Sequence, residues 1–287
     1  MSAITFGGVW LRLLVFWLRT VASFTALYDS ALKSVVAGDY ASGISILRLC
    51  VTLRPRDFDA LQLLGTLLVE TRASQEGSAY LAQAVEVNDG DPGVWANYIE
   101  ALRASGLLQR AIDEGTIALA KHPGSAHVAY NLAFSEETFQ QHDLAVLHYQ
   151  LAVQLKPDFE SAYDRCGNLF ILREQFKEAG LFLAQAVQYL PNVTMLHFRL
   201  GVALLRQHRF EEAFKSFRRA EERDPSNLDV QCNIGAVHQS VGRVELALER
   251  YLRVLPHRPS DAGLLNNLGE WIAWKGLIVV SRTAPIH

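Results

Sequence analysis

The stretch from His197 to Pro225, HFRLGVALLRQHRFEEAFKSFRRAEERDP, decides the fold of this chain. Apolar residues recur in it at helical spacing in two blocks that are separated by a turn. Pro225 stops the second block, because proline cannot continue a helix. Glycine inside a helix costs about 1 kcal/mol against alanine, so Gly201 makes sense if its missing side chain lets the second helix approach. Ala213 and Ala220 give the second helix a matching small surface. The stretch therefore predicts a pair of packed helices.

The same pattern returns every 34 residues without an insertion or a deletion. The closing proline recurs on this grid at Pro55, Pro123, Pro157, Pro191, Pro225 and Pro259, with Asp89 in the remaining place. Small residues recur twelve positions before each of these, at Gly43, Gly77, Ala111, Ala145, Ala179, Ala213 and Ala247. A repeated unit of this length indicates a solenoid in which neighbouring units bury each other's apolar faces.

These columns resemble the tetratricopeptide repeat, whose pattern is W-x2-L-G-x2-Y, then A-x3-F, then P. The first half reads WANYIEAL from Trp95 and HFRLGVAL from His197, and the second half reads AFKSF from Ala213. The resemblance covers seven complete repeats over residues 24–261. It implies an all-α fold, an α-solenoid of tandem helix-turn-helix repeats that forms a right-handed superhelix.

Several positions refine or depart from the repeat pattern. Glycine occupies the turn between the two helices of a repeat at Gly38, Gly106 and Gly242, where a left-handed residue is needed. Arg72 stands where the turn glycine of repeat two belongs. Glu136 and His238 stand where the pattern has a large apolar residue, so we expect repeats four and seven to pack less well. A functional polar pair is the alternative.

Both ends of the chain differ from the array. Residues 1–23 are strongly apolar but contain Arg12 and Arg19, which suits neither a spanning helix nor a signal peptide. We expect an amphipathic helix that covers the first repeat or lies on a membrane surface. Residues 262–287 begin an eighth repeat with LLNNLGEWIAWKG, but Pro285 falls where its second helix should still run. We expect a truncated repeat and an aberrant or disordered tail.

Composition limits the partners and the compartment. The net charge of −3 gives no basic surplus for a phosphate backbone, so we expect no nucleic-acid partner. The basic residues alternate with acids, which is typical of solvated helix faces rather than of a site for acidic ligands. Cys50, Cys166 and Cys232 cannot build a disulfide framework, which favours a reducing compartment. We predict a cytoplasmic protein, with the nucleus as an alternative.

The sequence contains no pattern that is typical of catalysis. A glycine-rich phosphate loop, HExxH, GxSxG and CxxC are all absent. The nine histidines are scattered, and NDGDPG from Asn88 lacks the spacing of a calcium loop and is read as the turn between repeats two and three. We predict no metal, no cofactor and no enzymatic activity.

One column is a candidate binding site. The sixth position of successive repeats holds Asn97, Asn131, Arg165, Arg199, Asn233 and Asn267. In the family this position lies on the helix that lines the concave face, and it points into the groove. A ladder of asparagine amides can hold the C=O and N–H groups of an extended peptide, and the two arginines suit a carboxylate. The alternative is that the column serves helix packing, with each side chain bonded locally.

Three functions compete on this sequence. The first is a scaffold or adaptor that binds extended segments of other proteins in the groove of the superhelix. The second is the substrate-recognition region of a larger enzyme, because the uninterrupted repeats and the NNLG segment resemble the repeat region of O-linked N-acetylglucosamine transferases. The third is a membrane-tethered assembly factor, which rests on residues 1–23 alone and is the weaker alternative.

Overall fold

The computed structural model describes residues 23–269, and every regular element in this range is an α-helix. The chain divides into two compact units, Met1–Leu155 and Lys156–His287. The described helices of the first unit are α1 (residues 23–36), α2 (Tyr40–Leu53), α3 (Phe58–Glu70), α4 (Ser74–Val87), α5 (Pro92–Ala104), α6 (Leu108–Lys121), α7 (Ala126–Thr138) and α8 (His142–Leu155). Those of the second unit are α9 (Glu160–Leu172), α10 (Phe176–Tyr189), α11 (Thr194–Arg206), α12 (Phe210–Arg223), α13 (Leu228–Ser240), α14 (Val244–Val254) and α15, described over 262–269.

Within each unit the helices pack in the order of the chain. Successive helices from α2 to α8, and from α9 to α14, contact each other. The first helices of neighbouring repeats also touch, as α5 does with α7 and α9 does with α11. This local, repeating pattern of contacts is that of a helical solenoid, so the prediction of an all-α repeat fold is confirmed.

Polar side chains fix where several helices begin. The Asp57 carboxylate accepts a hydrogen bond of 3.1 Å from the Ala60 amide at the start of α3, and the Ser125 hydroxyl accepts one of 3.3 Å from Val128 at the start of α7. Such caps satisfy backbone donors that a helix leaves unpaired in its first turn. Asp91 does the same for α5, so NDGDPG forms the turn that the sequence predicts.

The turn inside each repeat needs a left-handed residue. Gly38, Gly106 and Gly242 adopt φ values of 78°, 76° and 76°, which confirms the role predicted for them. Four other repeats place a side chain in the same conformation, at Arg72 (66°), Gln140 (65°), Glu174 (58°) and His208 (59°). The turn geometry is therefore kept even where the residue is unfavourable for it.

The small residues of each helix pair are buried, but the contact differs from the one we expected. Ala213 and Ala220 are fully buried on α12. Opposite Gly201, however, lies the ring of Phe217, and a Cβ built at Gly201 would meet it at 2.6 Å. The glycine of the first helix thus makes room for the aromatic residue of A-x3-F rather than for the alanine column.

The two polar departures from the apolar pattern are both buried. Glu136 is 2% exposed, and its carboxylate lies 2.8 Å from Nδ1 of His148 on α8. His238 is 7% exposed and lies against the Phe214 ring, with 5.3 Å between ring centroids. Its Nδ1 atom has no hydrogen-bond partner among residues 23–269. Repeat four therefore compensates its buried polar residue, whereas repeat seven leaves one ring nitrogen unpaired.

The predictions made for the two ends fall largely outside the described residues. Residues 1–22, to which the amphipathic or membrane-bound helix was assigned, and residues 270–287, with most of the truncated eighth repeat, are not described. Within residues 23–269, no helix is both long enough and apolar enough to cross a membrane.

Candidate functional site

The six residues of the predicted binding column all lie on first helices and are half-buried. They are Asn97 on α5, Asn131 on α7, Arg165 on α9, Arg199 on α11, Asn233 on α13 and Asn267 on α15. Half-burial places each side chain at the edge of the helix–helix contact, where it can bond to a neighbouring helix and still reach solvent.

In the first unit, both asparagines bond to the first helix of the preceding repeat. Nδ2 of Asn97 donates a hydrogen bond of 3.3 Å to the Thr66 hydroxyl on α3. Nδ2 of Asn131 donates one of 2.7 Å to the backbone carbonyl of Ala96 on α5. These two members of the column therefore link consecutive first helices. Such links serve helix packing, but they are not the local bonds that the packing alternative predicted.

Each of these amides keeps hydrogen-bonding capacity. An asparagine side chain has two N–H donors and one carbonyl acceptor, and each inter-repeat bond uses one donor. Among residues 23–269 the side-chain oxygens of Asn97 and Asn131 receive no hydrogen bond, and the second N–H of each donates none. The bond that is formed fixes the plane of the amide, so the free oxygen and N–H have a defined direction.

Three neighbouring side chains on this face were not identified from the sequence. Glu100 lies three residues after Asn97 and Phe134 three after Asn131, a spacing that puts each pair on one helix face. The Arg103 guanidinium bonds to both oxygens of Glu100, at 2.9 and 2.5 Å, and stacks on Phe134 with 3.8 Å between Cζ and the ring centroid. Helical spacing from the column was the signal that could have revealed them.

In the second unit the central side chain is already paired. The Arg199 guanidinium donates to the Asp164 carboxylate through Nε, at 2.5 Å, and Nη2, at 3.2 Å. Its Nη1 donates to the side-chain oxygen of Asn168, at 2.5 Å. The carboxylate partner that the sequence assigned to a ligand is thus supplied by α9 itself. A ligand carboxylate would have to displace Asp164 to reach Arg199.

The remaining members of the column differ from these. Nδ2 of Asn233 donates 2.8 Å to the carbonyl of Asp229 in its own helix, which is a local bond. Arg165 and Asn267 are half-buried on their helices. That all six positions form a single binding stripe stays a prediction.

Burial governs the reactivity of several cysteine and histidine side chains outside the column. In residues 23–269, no three His, Cys, Asp or Glu side chains are placed to hold a metal ion. Burial raises the pKa of the Cys50 and Cys232 thiols, which keeps them protonated and weakly nucleophilic. His197 is buried with Nε2 at 2.8 Å from the Pro191 carbonyl, and burial lowers its pKa, so it is held neutral at pH 7.

Sequence comparison matches two parts of the chain to a known repeat family. Family profiles described as tetratricopeptide repeat match residues 63–126 and residues 195–227. These segments contain Asn97 of the first unit and Arg199 of the second. A search of curated proteins finds no significant match.

Solved structures, two of them described as tetratricopeptide repeat proteins, share the fold. YrrB, described as a TPR protein with an unusual peptide-binding site, aligns with a TM-score of 0.58 at 23% identity, over 65% of this chain and 96% of its own. PilF of Pseudomonas aeruginosa gives a TM-score of 0.62 at 14% identity, over 74% and 97%. The C-terminal part of a TPR protein from Cytophaga hutchinsonii gives 0.66 at 11% identity, over 84% and 99%. The chain therefore contains tetratricopeptide repeats within residues 63–126 and 195–227, and its fold is similar to that of these solved structures.

Proposed function

We propose that this chain is a non-catalytic protein-interaction module that binds extended peptide segments along its first helices. The observation that supports this proposal is the pair of half-buried amides at Asn97 and Asn131. One hydrogen bond to the preceding repeat orients each amide, and the oxygen and one N–H of each form no hydrogen bond among the described residues. An extended peptide offers the matching C=O and N–H groups at regular intervals. The peptide-binding site described for YrrB is consistent with this use of the fold.

The charges on this face support recognition of a backbone rather than of an acidic side chain. Arg103 is paired with Glu100, and Arg199 is paired with Asp164. Replacing a formed ion pair by another one of the same kind brings little net free energy at a partly exposed site. We therefore assign the affinity to the asparagine amides and treat Arg199 as a side chain that positions α9 and α11.

Selection of peptides on the full chain, followed by calorimetry with the tightest peptide, tests the proposal. Each of Asn97→Ala and Asn131→Ala is expected to weaken binding by about 0.5–1.5 kcal/mol, the net worth of a typical hydrogen bond. Gln83→Ala is the matched control, because its amide lies on a second helix and bonds to the Ala79 carbonyl of the same helix at 3.3 Å. It should leave the affinity unchanged.

Because the asparagines also link helices, loss of stability has to be separated from loss of binding. Thr66→Val removes the partner of Asn97 without altering the asparagine itself. We expect this variant to melt at a lower temperature and to keep most of its affinity for the peptide. If the Asn→Ala variants lose stability but bind as tightly as the wild type, the column serves packing and the proposal fails.

A second candidate is the recognition region of a larger O-linked glycosyltransferase. The uninterrupted repeats with asparagine at their sixth position support it. Detection of the natural gene product with an antibody against residues 63–126 tests this. A polypeptide that carries glycosyltransferase activity together with the repeats would support the candidate, and a product of the length described here would remove it.

A further inference from the structure

A recessed surface lies between two second helices of the second unit. It is a cleft of about 340 Å³ between α10 and α12, the second helices of repeats five and six, and α11 forms its floor. None of the six column residues lines this cleft, so it is separate from the proposed peptide site although α11 contributes to both. Its size is at the low end for a ligand pocket, enough for a few side chains.

The cleft exists because α10 carries small residues on the side that faces α12. Gly180 and Ala184 line it. The position of Gly180 in the repeat is held by Ile112, Phe214 and Leu248 in other repeats, and that of Ala184 by Gln150, Arg218 and Leu252. Repeat five therefore carries smaller side chains here than those repeats, as repeat two does with Ser78 and Ala82. Part of the space beside Gly180 is taken by the Gln207 amide, whose nitrogen lies 2.7 Å from the place of a Cβ.

The inner part of the cleft is apolar. Leu200 and Leu204 of α11 form the floor and are 7% and 4% exposed. Leu181 stands on the rim with 67% of its surface exposed. Most of the exposed apolar surface thus belongs to Leu181, which gains free energy when another apolar side chain covers it.

The α12 wall is positively charged. Lys215 and Arg219 line the cleft, and neither forms an ion pair with any residue in the described range 23–269. The third cation of the wall, Arg209, is neutralised by two hydrogen bonds to Glu212, at 2.9 and 2.8 Å. The cleft lining thus holds three cations, Arg209, Lys215 and Arg219, and one carboxylate, Glu212, which leaves an excess of positive charge.

We propose that this cleft docks a short segment of a partner protein in which leucine-like side chains are followed by carboxylates. The aliphatic side chains pack on Leu181 above the floor of Leu200 and Leu204, and the carboxylates pair with Lys215 and Arg219. Charge complementarity selects an acidic segment over a basic one, since a basic segment would meet two like charges. The interaction is independent of the peptide backbone recognition proposed for the first helices.

Two labelled peptides test this. The first has leucine and glutamate at helical spacing, so that each residue type lies on its own face of a helix, and the second has lysine in place of glutamate. Fluorescence anisotropy with the full chain is expected to show binding of the glutamate peptide and much weaker binding of the lysine peptide. Ala184→Leu, which fills the cleft with the residue found at Leu252, and the double variant Lys215→Glu with Arg219→Glu should each weaken binding about tenfold.

Matched controls separate the cleft from general surface effects. Ala82→Leu makes the same substitution at the same position of repeat two, and Lys177→Glu with Arg223→Glu reverses two charges that do not line the cleft. Both should change the affinity less than twofold, with unaltered circular dichroism in all variants. Equal losses in cleft and control variants, or no binding of the glutamate peptide at about 1 mM, would overturn the proposal.

Two other occupants have their own signatures. If wild-type protein sediments as a dimer and Ala184→Leu as a monomer, a second copy fills the cleft. If removal of residues 270–287 creates binding that the full chain lacks, the chain's own end fills it. Either result would contradict docking of an acidic partner segment.

Discussion

Repeats four and seven share a hydrogen bond from a buried tyrosine but differ in whether a buried polar side chain is paired. The second helix of each carries a buried tyrosine whose hydroxyl donates to the first helix, from Tyr149 to Glu137 at 2.5 Å and from Tyr251 to Gln239 at 2.8 Å. These residues occupy identical positions in the two repeats, 102 residues apart. Equivalent positions in the two repeats thus make the same contact when the residue types allow it.

The difference lies one residue before each acceptor. Glu136 of repeat four is paired with His148 at 2.8 Å. The residue equivalent to His148 in repeat seven is Arg250, which bonds instead to Glu221 and to Gln231. His238 is left with an Nδ1 atom that has no hydrogen-bond partner in the described part of the chain. A polar residue in the apolar column is thus tolerated at lower cost when its own repeat supplies the partner.

The largest effect is expected from His148→Ala. Glu136 is 2% exposed and would lose its only side-chain partner among the described residues, so the free energy of unfolding should fall by about 2–3 kcal/mol. Urea unfolding measures this, and hydrogen exchange should show the loss in repeat four.

The double variant Glu136→Leu with His148→Ala is the control. Leucine occupies the equivalent position at Leu68, Leu102 and Leu204, so the column accepts it. His148→Ala should cost much less in that background, and an unchanged cost would show that the pair is not the source of the effect.

A second large effect is expected from Gly235→Ala. Alanine normally stabilises a helix by about 1 kcal/mol relative to glycine. At Gly235, however, a Cβ would meet the Tyr251 ring at 2.6 Å, so we expect the substitution to destabilise by about 1–3 kcal/mol. Repeat four already accommodates Ala133 at this position beside Tyr149. A more stable Gly235→Ala protein would mean that the two repeats pack alike.

The sequence predicted the repeated contacts better than the exceptional ones. The helix pairs, the turn glycines and the buried columns follow from a pattern that recurs in each repeat. An assignment made in one repeat is therefore supported by the equivalent residues of its neighbours. The pairing of Arg199 with Asp164 was missed because it joins residues 35 apart on different helices and occurs in a single repeat. The Glu136 partner was missed for the same reason, although a histidine twelve residues later in a column that also holds Glu114 and Arg250 was a usable signal.

His238→Leu should act in the opposite direction. It removes a buried ring nitrogen that has no partner and leaves an apolar side chain against Phe214, so we expect a gain of about 1 kcal/mol in the free energy of unfolding. Thermal and urea unfolding measure it. A loss of stability would indicate that the imidazole makes a contact in repeat seven that matters more than its unpaired atom.

The pH dependence of stability sharpens the same point. Burial, with Arg250 and Arg243 nearby, lowers the pKa of His238 below its usual value of about 6.5. Below that pH the unfolded chain binds the proton more readily than the folded chain, so unfolding becomes easier as the pH falls toward the lowered pKa. The wild type should lose more stability than His238→Leu between about pH 7 and pH 5. His197, whose pKa is also lowered, contributes equally to both proteins. Parallel curves would contradict the prediction.

The smallest effect concerns the turn that joins the two helices. Repeat seven has Gly242 there at φ 76°, whereas repeat four holds Gln140 at φ 65°, a conformation that costs a residue with a Cβ about 1–2 kcal/mol. Gln140→Gly relieves that strain but gives the unfolded chain more freedom, which takes back about 0.5–1 kcal/mol. The free energy of unfolding measured in urea is therefore expected to rise by about 0.5 kcal/mol. In Gly242→Gln it should fall by at least as much, because the substitution adds backbone strain to a repeat that also carries the unpaired His238. If Gly242→Gln were neutral, the left-handed turn would not distinguish the repeats, and their difference would rest on the buried column alone.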